Sequence, residues 1–253
     1  MSIIKIKEKQ WEKIYEFLRK LPEVYRGSEE KCRRFIEGIL WITRSGAQWR
    51  LLPEKYGKWN SVYKRYSRWN EKNIWQMMFE YFGADPDLEN LILDSTVVRA
   101  HPCAAGASKK HGGQEYQALG RSRGGFSTKI HIGVDALGNP VRFILTPGQI
   151  HDIKEAEHLL GKQDVERVLA DRSYDADEFR KVLSKRGIEA VIPPRSNRTE
   201  LYDYDQHTYK ERHLVECFIN KIKHFRRIFS RFEKLASQYL GFLYFVGSLI
   251  WLR

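Results

Sequence analysis

A chain of 253 residues is long enough to bury a full core in one or two domains, and 42% hydrophobic with 30% charged residues excludes a disordered or fibrous protein. The charge is less ordinary: 44 Lys+Arg against 32 Asp+Glu leave a formal +12, which favours a polyanionic partner, nucleic acid foremost. No membrane partner is expected, since the longest apolar run, 239–252, holds about 14 residues where a span needs roughly 20.

The N-terminal run MSIIKIKEKQWEKIYEF is charged throughout and has no signal-peptide core, so a cytoplasmic, nucleoid-associated protein is expected. Apolar spacing predicts helices over 9–21, 30–43 and 59–82, separated by Pro22, Gly27, Gly46, Pro53 and Gly57. Six of the seven tryptophans fall in this part, together with 18 Lys+Arg against 11 Asp+Glu. The pattern suggests a helix-turn-helix-like domain over 1–85, whose second helix begins at Lys58 and offers Lys58, Lys64, Arg65 and Arg68 to DNA. A plain helical bundle with solvated cations is the competing reading.

GADPDLEN (83–90) reads as a linker into a second domain, 86–253. LILDSTVV (91–98) is a strand, 126–148 a pair of strands around a turn at 136–139, and 152–160 a short helix with Asp152 and Glu155 spaced as a capping box. VERVLADRSY (165–174) is a strand ending in a polar turn, 177–186 a helix, and 188–194 a strand. This element order predicts a mixed α/β layer. The glycine-rich segment 101–125 is a long basic loop, where Lys109, Lys110, Arg121 and Arg123 are candidates to line a DNA channel. It lacks the spacing of a phosphate-binding loop, so no nucleotide cofactor is expected.

YKERHLVECFINKIKHFRRI (209–228) is amphipathic at helical spacing. Tyr209, Arg212, Glu216, Lys223 and Arg227 fall within about 60° of one another, opposite Leu214, Phe218, Ile222 and Phe225. One acid, Glu216, thus stands among cations, Arg227 included, that are candidates to hold a DNA backbone. It could simply pair with Arg212 at i−4, worth a few tenths of a kcal/mol. Two further acids follow apolar runs: Asp94 after Leu91-Ile92-Leu93, and Asp171 after Val168-Leu169-Ala170. Each has a plain alternative, Asp94 with Ser95 or Thr96 and Asp171 with Arg172. If the three converge, like charges at 4 Å cost roughly 4 kcal/mol per pair at an effective dielectric of about 20, so without a counter-ion one of them would protonate. Oxygen donors favour Mg²⁺ or Mn²⁺, and two such ions can cut a phosphodiester. The histidines at 101, 111, 131 and 151 show no metal spacing, and His131 reads as structural. Cys32, Cys103 and Cys217 form neither a disulfide framework nor a zinc site.

LILDSTVVRAH, GRSRGGFSTKIH, VLADRSYDADEFR and the Y-x2-R-x3-E-x6-K pattern of Tyr209, Arg212, Glu216 and Lys223 follow in that order. Together they resemble a bacterial insertion-sequence transposase of the DDE class, IS-five-like group. The resemblance implies an RNase H-like core, metal ligation by Asp94, Asp171 and Glu216, and contact of Tyr209, Arg212 and Lys223 with element-end DNA. It also implies terminal inverted repeats and target DNA as partners, with at least a dimer to bring two ends together. An inactive DNA-binding regulator on the same fold, or a nuclease without strand transfer, stays open.

Overall fold

The computed structural model describes residues 5–107, 112–122, 124–198 and 202–253. The N-terminal part is all helix: α1 (Glu8–Arg19), α2 (Glu29–Ser45), α3 (Trp59–Glu71) and α4 (Ile74–Phe82). Local chemistry sets the ends of α2. Ser28 Oγ accepts from Lys31 N–H, and Gly46 closes the helix in the left-handed region at φ 67. The single helix expected over 59–82 is two. Asn73 adopts φ 54 between α3 and α4, and an asparagine tolerates that conformation where most residues do not. Residues 46–58, with two 3₁₀ turns, connect α2 to α3 in place of a tight three- or four-residue turn.

The remaining elements are β1 (Asn90–Ala100), α5 (Gly113–Tyr116), β2 (Gly120–Ser122), β3 (Gly125–Val134), β4 (Pro140–Pro147), α6 (Ala156–Leu160), β5 (Arg167–Leu169), α7 (Asp177–Lys185), β6 (Glu189–Val191), α8 (Gln206–Tyr209), α9 (His213–Lys223), α10 (Arg226–Phe229), β7 (Ser230–Arg231) and α11 (Ala236–Trp251). Strand β1 is central. Antiparallel β3 lies on one side, with β4 antiparallel beyond it, and parallel β5 then β6 lie on the other. That mixed sheet is the RNase H-like arrangement. The β3–β4 turn is fixed by Asp135, whose Oδ1 accepts from Leu137 and Asn139 N–H at 3.0 and 2.7 Å.

Alternation along the strands splits the core by face. Ile92, Ile130, Ile132 and Leu169 pack with Val215, Phe218 and Ile222 of α9, while Leu91, Leu93, Val168 and Ala170 pack with Leu159 of α6 and Phe179 of α7. Helix α11 is buried along most of its length and joins the two parts: Trp75 meets Phe245 and Tyr66 stacks on Phe242, while Phe79 of α4 meets Phe143 of β4. Gly247 permits this approach, since a Cβ there would come within 2.7 Å of the Phe79 ring. The hydrophobic core therefore runs without interruption across residue 85. Among the described residues no helix is long and apolar enough to cross a membrane.

The amphipathic segment at 209–228 is not one continuous helix. It begins as α8, tightens into a 3₁₀ turn at Lys210–Arg212, runs as α9, and breaks at His224 and Phe225 before α10.

Candidate active site

Asp94 sits midway along β1 and Asp171 lies two residues past the end of neighbouring β5, so two parallel strands deliver two carboxylates to one region. Asp94 Oδ1 accepts from Ser95 N–H at 2.7 Å. Asp171 caps the 3₁₀ turn at Arg172–Tyr174, its Oδ1 accepting from the Ser173 N–H at 2.8 Å and the Ser173 hydroxyl at 2.5 Å. The plain alternative for Asp94 is thus realised, whereas Asp171 bonds Ser173 rather than pairing with Arg172.

Arg212 joins the third acid to the first. Its Nη1 donates to Asp94 Oδ2 at 2.9 Å, and its Nη2 donates to Glu216 Oε1 at 2.5 Å. The i−4 ion pair therefore exists, and the same guanidinium also reaches β1. Burial pushes the Asp94 carboxyl above the usual carboxylate range, with the neighbouring Asp171 adding to the rise against the Ser95 and Arg212 contacts. Burial alone would lower the Arg212 guanidinium, but the Asp94 charge and hydrogen bond outweigh it and hold it above its ordinary value.

Tyr174 lies beneath, fully buried. Its hydroxyl is pushed well above the phenol range by burial and by the charges of Asp152, Asp94 and Asp171. Asp152 is a carboxylate that the sequence reading assigned to a capping box. Instead, His151 caps the 3₁₀ turn at Asp152–Glu155 without a side-chain bond, and the Asp152 side chain accepts from Ser95 Oγ and Lys129 Nζ. Burial pulls its carboxyl upward, yet those hydrogen bonds together take it below the usual range. The available signal was Lys129, a cation in a half-buried strand position that demands a carboxylate. His131 is structural, as expected: it is fully buried, with Nε2 2.7 Å from Thr146 Oγ1, and burial lowers it to about 4.

Among the described residues, no three His, Cys, Asp or Glu side chains close around a point that could hold a metal ion. The donors nevertheless suit a hard divalent cation by their chemistry. All are carboxylate oxygens, Asp94 is largely buried, and a positive group, the Arg212 guanidinium, already stands between Asp94 and Glu216.

Comparison with known proteins identifies the family. Residues 85–245 match the family described as "Transposase DDE domain", which covers well over half the chain. The chain belongs to the DDE-domain transposases. Residues 6–79 match "Putative transposase of IS4/5 family". The transposase is 42% identical over 129 residues to "Putative transposase for insertion sequence element IS6501" of Brucella ovis, covering 50% of this chain and 99% of that one. It is 36% identical over 128 residues to "Putative transposase for insertion sequence element IS402" of Burkholderia cepacia, covering 46% and 58%. Among solved structures it matches the piggyBac transposase synaptic complex with hairpin DNA at TM-score 0.42 and 12% identity, over 79% of this chain and 51% of that chain. It matches the Mos1 transposase paired-end complex at TM-score 0.28 and 13% identity, over 92% of each chain.

The transposase presents only some of the cations read as DNA contacts. Lys58, Lys64 and Arg68 are exposed along α3 and at its start, and Arg121 is exposed beside the Phe126 ring. Tyr209 is half-buried, edge-on to Tyr204 at 5.5 Å, and Lys223 is half-buried at the end of α9, making no ion pair among the described residues. Two assignments are corrected. Arg65 turns into the helical bundle, where it donates to Arg26 O and Cys32 Sγ and lies 4.2 Å from the Phe35 ring centroid. Arg227 is buried, donating to Glu233 at 2.6 Å and to Ala47 O at 2.7 Å. The break after α9 rotates Arg227 off the face it would share with Glu216 in an unbroken helix. Lys109, Lys110 and Arg123 lie outside the described residues.

Proposed function

We propose that this transposase cuts DNA at insertion-sequence ends and joins the freed 3′-OH to target DNA, with Asp94, Asp171 and Glu216 as the ligands of two Mg²⁺ or Mn²⁺ ions. The observation that carries this reading is the bridge Asp94–Arg212–Glu216 beside Asp171 at the end of the adjacent parallel strand. When bound, such ions activate the attacking oxygen and stabilise charge on the leaving oxygen. Hydrolysis adds the oxygen of water to phosphorus and breaks the P–O3′ bond, leaving a 3′-OH and a 5′-phosphate. The freed 3′ oxygen then attacks a target phosphorus and displaces its O3′, so no protein nucleophile enters.

The chain's own groups have separate tasks in this scheme. Ser95 and Ser173 orient Asp94 and Asp171 through their backbone N–H groups. Arg212 neutralises Asp94 in the free protein and turns to a DNA phosphate when the site fills. Tyr209, Lys223, Lys58, Lys64, Arg68 and Arg121 supply further contacts to the backbone of double-stranded DNA, with residues 1–85 reading the element end and 86–253 carrying the chemistry. The protein acts in the cytoplasm as a dimer or larger assembly that holds two ends. The test is cleavage and joining of labelled end DNA in Mg²⁺ by wild type and by Asp94→Asn, Asp171→Asn and Glu216→Gln. Near-wild-type rates in all three variants would overturn the assignment, and cutting without joining would make the protein a nuclease.

A further inference from the structure

Asp152 stands on the face of the sheet opposite α9. Asp94 shares the α9 face with Ile92, whereas Ser95 and its register partner His131 point the other way, toward the side that α6 covers. There Asp152 Oδ1 accepts from Ser95 Oγ at 2.7 Å and from Lys129 Nζ at 2.9 Å, and its Oδ2 lies 3.4 Å from Ser173 Oγ. Both serines are the residues whose N–H groups hold two of the candidate acids, Ser95 on Asp94 and Ser173 on Asp171. A hydroxyl has one proton to give. That of Ser95 goes to Asp152, while that of Ser173 follows its 2.5 Å contact to Asp171, so the 3.4 Å approach of Ser173 to Asp152 carries no proton.

We propose that Asp152 is a positioning residue: acting through Ser95, it sets from behind the sheet where Asp94 presents its carboxylate. The inference rests on the reading of Asp94 as a metal ligand. A helix-capping role does not account for Asp152, because it receives no backbone N–H from its own turn. Service to Lys129 alone does not account for it either. Lys129 also donates to Ile150 O at 2.7 Å, and neutralising a lysine would not require the same carboxylate oxygen to take the Ser95 hydroxyl. Ser95 and Lys129 are both donors, so an acceptor-only side chain satisfies the two at once.

The experiment uses the full chain and Mn²⁺ alone as the probe, with bound metal read by electron paramagnetic resonance, beside cleavage of end DNA and gel-shift affinity for the same duplex. Ser95→Ala and Asp152→Ala should each weaken Mn²⁺ binding and slow cleavage by about 10- to 100-fold, with DNA affinity unchanged. Ser95→Thr, which restores a hydroxyl, should recover both. The double variant should be no worse than the more damaging single one, because both changes break one path. Asp94→Asn is the control for the underlying reading. If it loses Mn²⁺ while Asp152→Ala and Ser95→Ala bind as wild type, the positioning role is overturned and the ligand assignment stands. If Asp94→Asn binds Mn²⁺ normally, both fall. Should Asp152→Ala fail to fold, the Ser95→Ala and Ser95→Thr pair decides.

Discussion

Arg212 Nη1 lies 2.9 Å from Asp94 Oδ2, across 118 residues of sequence, and the same guanidinium holds Glu216. A cation therefore already sits where two of the proposed ligands would hold a metal ion. A metal entering that gap competes with the guanidinium.

Arg212→Gln should change stability and metal response in opposite directions. Without metal, Asp94 is left largely buried and unpaired, which costs about 1–3 kcal/mol. With Mg²⁺ the competitor is gone, so the metal-induced rise in melting temperature should exceed that of wild type. Melting curves with and without Mg²⁺ check both halves. Equal shifts in the two proteins would show that Arg212 does not occupy the metal's place.

Glu216→Gln separates a surface ion pair from a ligand. The Glu216 side chain is 53% exposed, so losing its partner should alter stability by less than about 1 kcal/mol. As a metal ligand, its loss should slow 3′-end cleavage by several orders of magnitude while DNA binding persists or tightens. Cleavage and gel-shift assays on one preparation distinguish the two.

The sequence showed this site unevenly. The apolar runs before Asp94 and Asp171 and the apolar stripe of 209–228 singled out Asp94, Asp171 and Glu216, because burying a strand or one helix face requires such patterns. Asp152 escaped because D-x-x-E is a local capping pattern, and the contacts that claim its side chain come from Ser95, Lys129 and Ser173, far away in sequence. Arg227 was misplaced because nothing marks the break at His224 and Phe225: no proline or glycine interrupts 209–229. The division of 59–82 at Asn73 was hidden for the same reason.

His131 should make the fold sensitive to mild acid. Burial lowers it to about 4, whereas an unfolded histidine takes its proton near 6.5. Between those values the unfolded chain binds more protons, so stability rises with pH and is lost as pH falls from about 6.5 toward 4. The span corresponds to about 3 kcal/mol at most. Denaturant unfolding from pH 4 to 7 should show wild type losing stability with a slope of about one proton more than His131→Asn. Parallel curves would mean that His131 is not held neutral.

The α3 cations offer the sharpest contrast, since Lys64, Arg65 and Arg68 look equivalent in sequence. Lys64 and Arg68 are exposed, whereas Arg65 lies against both the Phe35 and Trp69 rings and donates to Arg26 O and Cys32 Sγ. Desolvation lowers the Arg65 guanidinium below its ordinary value, as befits a group inside the bundle. If α3 lies against DNA, Lys64→Ala and Arg68→Ala should each flatten the log–log dependence of binding on salt by about one phosphate contact, without loss of stability. Arg65→Ala should leave that slope unchanged and destabilise the protein by about 1–3 kcal/mol, through lost stacking and the unpaired Arg26 carbonyl. Gel shifts from 50 to 200 mM salt and melting curves on the three variants check this. A lower salt slope for Arg65→Ala at unchanged stability would return Arg65 to the DNA face, and three unchanged slopes would remove α3 from it.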